Sequence, residues 1–459
     1  MPPSALLIQP PVYDFALFDL FLRPYGLLRV GRWLEEAGYE VRFLDCLDYR
    51  DAYTAKMLGP VRRRPDGTGK FFRIPLPPPY AGARRRFARY GILPERVEEI
   101  LSSWYPKDPP SVVLIGSGMT YWYHGVKEAA DLIRRRFPGS LLAVGGVYAS
   151  LLPRHCEEVV RPDVIVQGDD LEALRSALGK EGLPVPQGVV PDRPLLLERV
   201  WREAGVLRLH QGCPYRCTYC ASSRLSRFVP GRGDALFDLL MDYRSRCRTS
   251  TFAFYDDALL VGKEEGLLPF LERVLSRLGS ARRSGLSFYV PNALHARFLD
   301  RRTASLMVRA GFREVRVGFE SAEEGFHTRY DRKVTSGEFL RAVEILRDAG
   351  FPPSSIVVYV LVGLPGQRSD EVERTLSALE DLPVLVSLAE YSPIPGTSLW
   401  EESVRRSRYP IAHEPLFHNN SIFPLEWEGF TFSDLECLKR KVRERNARIR
   451  ALSPSGSAP

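Results

Sequence analysis

The chain has 459 residues, 44% hydrophobic and 26% charged, which predicts two domains with appendages and excludes a disordered or fibrous protein. The formal net charge is +8, and much of the excess is arginine, with "RRR" at 62–64, 84–86 and 134–136. No nucleic-acid-binding module accompanies that charge, so the runs read as solvated helix faces and a nucleic-acid partner is not expected; no apolar run is long enough to cross a bilayer, so no membrane partner is expected either.

In chain order, "MPPSALLIQPP" lacks the basic region and cleavage site of a secretory signal, and "ALLI" (5–8) is a short apolar strand. "GLLRVGRWLEEAG" is a helix with Leu27, Val30 and Leu34 on one face and Gly38 as its stop. "EVRFLD" (40–45) is the next strand. Residues 50–110 break the pattern with arginine runs and "PLPPP", and read as an insertion. The alternation resumes with "SVVLIG" (111–116), a helix through Val126, Ala129, Ala130 and Ile133, "SLLAVGG" (140–146), a helix near 153–160 and "DVIVQG" (163–168). Buried apolar strands between amphipathic helices predict a Rossmann-like, doubly wound parallel sheet over residues 1–185. Its ligand edge is the carboxyl end of the strands.

"KEGLPVPQGVVPDRP" (180–194) reads as a linker. Strands are then expected near 206–210, 251–255, 286–290, 314–318, 356–362 and 385–391, with helices between them, as a (β/α)6 partial TIM barrel over 200–400. The α/β chain closes with a small helical extension over 401–459 that holds "FHNN" and ends in "SPSGSAP", a tail expected to be disordered. Four cysteines, Cys46, Cys156, Cys247 and Cys437, are scattered, which is no disulfide framework and points to a cytoplasmic protein.

The other three crowd into "HQGCPYRCTYCASS" (210–223) as Cys213, Cys217 and Cys220, a C-x3-C-x2-C spacing. Three thiolates can hold three irons of a 4Fe–4S cubane, leaving the fourth iron for a small molecule. The loop follows the first barrel strand, where barrel active sites are built. Zinc is the structural alternative, with His210 as fourth ligand, although zinc ligands usually come in pairs from separated elements. Inert buried thiols are a third reading, a poor match to the polar neighbours Tyr215, Arg216 and Thr218.

The motif, with Gly212 ahead of it and the aromatic Tyr219 before the last cysteine, resembles the signature of the radical S-adenosylmethionine (SAM) superfamily. "FAFYDDALL", "YVPNALHARFLD", "AGFREVRVGFES", "AVEILRDAGF", "VGLPGQ" and "SPIPGTSLW" follow in the order that superfamily uses. Through "YGLLRVGRWLEEAGYEV", "GGVYASLLP" and "DVIVQGDD", residues 1–180 resemble the cobalamin-binding-type domain often placed ahead of that barrel.

The resemblance implies an enzyme that binds a 4Fe–4S cluster and reductively cleaves SAM to methionine and a 5′-deoxyadenosyl radical. It implies a flavodoxin- or ferredoxin-type electron donor, a small-molecule or peptide substrate and a monomer. The implied cofactor-binding positions in the barrel are Tyr219; Asp256 and Asp257 for the SAM ammonium; Asn292 for the ribose; Glu320; Arg332 for the SAM carboxylate, with Arg329 as the alternative; and Gly363 for close approach to adenine. Relatives carry an aspartate where this chain has Tyr359, so that contact is not carried over.

Cobalamin is implied at Ser117, Gly145 and Gly146, with the aromatic loop "MTYWY" (119–123) at the same edge. None of the 7 histidines sits in the cobalt-ligating motif D-x-H-x-x-G, and His124 and His155 are the two in the first domain. His418 is the candidate catalytic residue, on the reading that "FHNN" closes the barrel and points the imidazole into its cavity. Cobalamin-dependent methyl transfer to an unactivated centre leads; radical rearrangement or cyclisation and a non-catalytic corrinoid or redox sensor are the rivals.

Overall fold

A computed structural model describes residues 2–452. The tail "SPSGSAP" lies outside the described residues. The chain forms two compact units, Met1–Leu195 with Ile411–Ile422, and Leu196–Pro410 with Phe423–Pro459.

The strands of the first unit are β1 (Ser4–Gln9), β2 (Val12–Asp14), β3 (Glu40–Asp45), β4 (Arg73–Pro75), β5 (Ala88–Tyr90), β6 (Val112–Ser117), β7 (Leu141–Gly146) and β8 (Val164–Val166). Five of them make a parallel sheet in the order β3-β1-β6-β7-β8. Four successive residues of β1, Ala5 to Ile8, are buried, as in a sheet covered on both faces. The helix Tyr25–Glu36 uses the expected face only in part: Leu34 is fully buried. Leu28 and Trp33 are in the core, and Leu27 and Val30 are only half-buried. The reason is Gly31: a Cβ there would lie 2.4 Å from Leu7 Cδ1, so the helix turns its glycine onto β1 and Leu28 follows. Strand order reverses between β1 and β6, which makes their carboxyl ends the switch point. Within the 50–110 insertion and its flank, β2, β5 and β4 pair antiparallel in that order.

The second unit contains β9 (Gly205–Leu207), β10 (Thr251–Phe254), β11 (Ser287–Tyr289), β12 (Phe312–Glu320), β13 (Ile356–Val362) and β14 (Leu385–Glu390). They pair in sequence order, all parallel, as a six-stranded partial barrel. Phe254, Phe288 and Phe312 fill its core, their ring centroids 5.3 to 5.9 Å apart.

The expected separate extension over 401–459 is divided between the units. The helix Phe432–Ala451 docks on the outer strand β14. There, Asn446 donates to Val386 O at 2.7 Å and accepts from Val386 N at 2.9 Å. Arg445 donates to Val384 O and Leu382 O. Side chains thus stand in for the missing neighbour strand and blunt a sheet edge. Among the described residues no helix is long and apolar enough to cross a membrane.

Candidate SAM and cluster site

The cysteine loop leaves β9 under tight control. Asp256, just past β10, is buried and accepts from Leu209 N at 3.0 Å and His210 N at 2.6 Å. Burial pushes its carboxyl up to about 7. Asp256 was expected to grip an ammonium; with both oxygens committed to the loop backbone it is a brace. Asn292 donates to Tyr255 O and Asp256 O at 3.3 and 3.2 Å, tying the third strand end to the second. That commits its amide nitrogen, so the expected ribose contact would have to come from its Oδ1. Gly212 holds φ +66°, and a Cβ would lie 2.6 Å from Ser226 O, so the turn into Cys213 requires glycine. His210 accepts from Gly231 N through Nδ1 at 3.1 Å and is buried. With Nδ1 accepting, the neutral ring carries its proton on Nε2, which is buried without a partner, and a protonated Nε2 weighs against His210 as a zinc ligand.

Cys217 is buried and Cys213 and Cys220 are half-buried. Burial pushes the Cys217 thiol up to about 12, Cys220, Asp331 and Cys213 adding to it and Lys333 opposing. Cys213 is raised by burial first; the Tyr215 N–H opposes, and the exposed Asp257 and Cys220 push further up. The Cys220 sulfur lies 3.3 Å from Ser222 Oγ. Among the described residues no three His, Cys, Asp or Glu side chains converge as ligands of one ion. Three thiols on one loop suit a cubane, in which each binds a different iron.

Beside them lies a buried charge network in which Lys333, Asp331 and His327 join the expected Tyr219 and Glu320. Lys333 Nζ is 3.6 Å from Glu320 Oε1 and 5.2 Å from the Tyr219 ring centroid. Burial disfavours the ammonium, but Glu320, Cys217, Asp331 and Cys220 outweigh it and hold Lys333 charged. Tyr219 donates to Asp331 Oδ2 at 2.9 Å. His327 braces the other oxygen, Nδ1 to Asp331 Oδ1 at 3.0 Å, and turns Nε2 to Ser321 O at 3.1 Å. Glu320 ends β12 on a register shift with φ +67°, a conformation rare for a non-glycine residue and one that clusters at functional sites.

The expected SAM-carboxylate residue, Arg332, is exposed, with φ +53° and Nε on Thr328 O at 3.3 Å. Arg329 is exposed over the Tyr330 ring. The left-handed residue turns Arg332 outward while Asp331 and Lys333 on either side point inward. The in-out-in run "DRK" is the only sequence signal that marks Lys333.

Gly363 holds φ +85°, its N–H is taken by Gln367 Oε1 at 2.7 Å, and a Cβ would lie 2.8 Å from the Phe423 ring. Phe423 accounts for this glycine; an adenine is not needed to explain it.

The sheet edge of the first unit differs in kind. Ser117 Oγ donates to Gly145 O at 2.6 Å and accepts from Ala149 N at 3.3 Å. A Cβ on Gly146, at φ +99°, would sit 2.2 Å from Ser117 O, and one on Gly145 3.3 Å from Val166 Cβ. Both glycines answer to neighbouring strands and not to room for a macrocycle. In "MTYWY", Thr120, Tyr121 and Tyr123 are buried, Trp122 Nε1 donates to Asp14 Oδ2 at 2.6 Å, and Met119 stays 47% exposed. His418 is 1% exposed, with Nδ1 2.9 Å from Thr120 Oγ1 and Nε2 2.8 Å from Ile411 O. Burial holds its pKa down at about 4, so the ring is neutral: Nε2–H donates to the carbonyl and Nδ1 accepts from the threonine. Asn419 Nδ2 donates to Asp14 Oδ1 at 2.9 Å. The "FHNN" segment therefore straps the first unit, and the expected catalytic His418 is a structural residue with both nitrogens occupied. His155 Nδ1 pairs with Tyr148 OH at 2.7 Å.

Residues 207–379 match the family model of the Radical SAM superfamily. Over this segment the chain is similar to radical SAM domains. Two similar proteins by sequence are an uncharacterized methyltransferase of Pyrococcus horikoshii (22% identical, 50% of this chain and 46% of that protein) and the threonylcarbamoyladenosine tRNA methylthiotransferase MtaB of Thermotoga maritima (25%, 59% and 64%). The chain thus spans about half to two thirds of these curated relatives. Among solved structures, the radical SAM methyltransferase TsrM of Kitasatospora setae, solved with cobalamin and a [4Fe-4S] cluster, aligns with a TM-score of 0.63 at 16% identity over 89% of this chain and 76% of that one. The cobalamin-dependent SAM radical enzyme OxsB aligns at 0.57 and 14% over 96% and 61%. These likenesses establish the fold, a Rossmann-like sheet joined to a radical SAM partial barrel.

Proposed function

We propose that the protein is a radical SAM enzyme that cleaves SAM reductively and, with cobalamin on its first unit, transfers a methyl group to an unactivated centre of a small molecule or peptide. The observation that carries the reading is Cys213, Cys217 and Cys220 on the loop after β9 beside the Glu320–Lys333 pair. The cluster, when bound, supplies the electron that breaks the sulfonium C5′–S bond. Lys333 and the deprotonating pull of metal on the Cys213 and Cys217 thiols, both raised by burial, act in the same direction, since both favour thiolate. The methionyl end of SAM carries an ammonium and a carboxylate. Glu320 and Lys333, opposite in charge and 3.6 Å apart, match that zwitterion, with Glu320 accepting from the ammonium and Lys333 donating to the carboxylate. Asp257, exposed at the end of β10, is a second acceptor. Tyr219, held by Asp331, walls the recess and helps exclude water.

Cobalamin, when bound, supplies a methyl carrier. The switch-point loop with exposed Met119 would meet it, and the chain offers no histidine in a cobalt-ligating motif. The names of TsrM and OxsB support this part. Seven free cysteines support a reducing, cytoplasmic setting, where a flavodoxin- or ferredoxin-type protein donates the electron to a monomer.

The test is anaerobic reconstitution, with metal analysis and SAM turnover with and without cobalamin. Four irons per chain and 5′-deoxyadenosine or methylated product are expected. Stoichiometric zinc would overturn the reading. SAM cleavage without cobalamin uptake would move the reaction to rearrangement or cyclisation.

A further inference from the structure

His295 follows β11 on the third loop of the barrel edge and is 6% exposed. Its ring stacks on Tyr215, centroids 4.7 Å apart and planes 18° apart, and Tyr215 lies between Cys213 and Cys217. Phe298 covers it at 6.4 Å, and the charges facing it are Lys333, Arg297 and Asp331. Its Nδ1 is buried and has no hydrogen-bond partner. His124 Nδ1 and His210 Nε2 are likewise buried without partners, but His295 is the one stacked on Tyr215 of the cysteine loop. A buried nitrogen left unpaired is costly unless a ligand satisfies it.

We propose that His295 is a positioning residue for the nucleoside end of SAM, its Nδ1 exchanging a hydrogen bond with a ribose hydroxyl. This rests on the reading that the recess binds SAM. The Glu320–Lys333 pair already matches both charges of the methionyl end, so the polar groups that remain are the neutral ones of the nucleoside. A ring beside two cations and one carboxylate suits a neutral hydroxyl better than another ion. Asn292, on the same loop, has its amide nitrogen committed to backbone carbonyls, whereas His295 Nδ1 is buried without a partner. The stack on Tyr215 couples it to the cysteine loop, so the nucleoside would be fixed relative to the cluster-binding thiols.

The experiment uses reconstituted protein under anaerobic conditions and three probes: SAM, 5′-methylthioadenosine and methionine. His295→Phe keeps the stack and removes the nitrogens; His295→Asn restores a polar atom near the position of Nδ1. His295→Phe is expected to weaken SAM and 5′-methylthioadenosine by about three- to tenfold and to leave methionine binding, iron content and the cluster midpoint potential unchanged. His295→Asn is expected to recover most of the loss. Unchanged nucleoside binding would overturn the proposal, as would equal weakening of methionine. A shifted midpoint potential with nucleoside binding intact would overturn it too, by placing the nitrogen against the cluster. Wild-type protein that takes up iron but binds none of the three probes would overturn the SAM reading itself, and with it the role of His295.

Discussion

At the sheet edge of the first unit, most of the polar groups singled out by the sequence are satisfied by their own unit, His124 Nδ1 being the exception. Ser117 bonds to Gly145 and Ala149, Trp122 and Asn419 to Asp14, and His418 to Thr120 and Ile411. At the edge of the barrel, Glu320 is held at a left-handed φ, and His295 Nδ1 and Thr218 Oγ1 are buried without partners. A self-satisfied edge has little left to offer a charged ligand and suits an apolar one. An edge with strain, unpaired donors and a buried ion pair is completed by a polar, charged one. Two buried histidines make the same contrast. Burial keeps both His418 and His295 near pKa 4, yet one bonds within the fold and the other waits for a partner.

The largest expected effect falls on the unsatisfied edge. Replacing Cys213, Cys217 or Cys220 with Ala should reduce iron to background and abolish 5′-deoxyadenosine formation, whereas Cys437→Ala should leave both intact; metal analysis and product quantification decide it. Next comes the satisfied edge. Gly146→Ala forces a Cβ against Ser117 O at a positive φ and should destabilise the protein by about 3 kcal/mol or more in denaturant melts, with or without cobalamin. If stability is untouched and only cobalamin uptake falls, the edge is shaped for its ligand and the contrast breaks.

Lys333→Ala should weaken SAM binding about ten- to hundredfold by removing a charge-assisted bond, and Arg332→Ala by less than about twofold. Titration of the reconstituted cluster with SAM reads both, and the reverse order would return the role to the arginine. The smallest effect is on His418. His418→Ala should cost about 1–3 kcal/mol of stability, because Thr120 and Ile411 lose a buried partner, without changing SAM cleavage per bound iron. The sign of the pH dependence follows from the depressed pKa. The folded state binds fewer protons than the unfolded one, so the stability His418 contributes is present above about 6.5 and lost as pH falls towards 4. His418→Gln should flatten that acid limb; an unchanged limb would show that the ring is not buried as described.

Much of the molecule was legible from local pattern. All six barrel strands fall where apolar runs were read, and the cysteine loop leaves the first of them. The failures share a cause. Asn419 meets Asp14 across 405 residues and His418 meets Thr120 across 298, so nothing near "FHNN" announces that it straps the first unit. Arg332 and Lys333 are equivalent as letters, and only the φ of Arg332 decides which cation faces the thiols. His295 in "NALH" sits in no periodic pattern, and its missing hydrogen bond exists only once Tyr215 has packed over it.

Spacing and periodicity are properties of neighbouring residues. By themselves they determined the two parallel sheets, the order of their strands along the chain and the three thiols offered on one loop. Which polar side chains are consumed by the fold and which stay free for a ligand was decided by tertiary structure alone. Asp256, Gly363 and His418 read as site residues and turned out to be brace, packing contact and strap. Lys333, which was not singled out from the sequence, lies beside Glu320. A buried hydrogen bond or ion pair is set by which distant groups arrive within about 3–4 Å, and the identity of those groups is not written beside the residue that meets them.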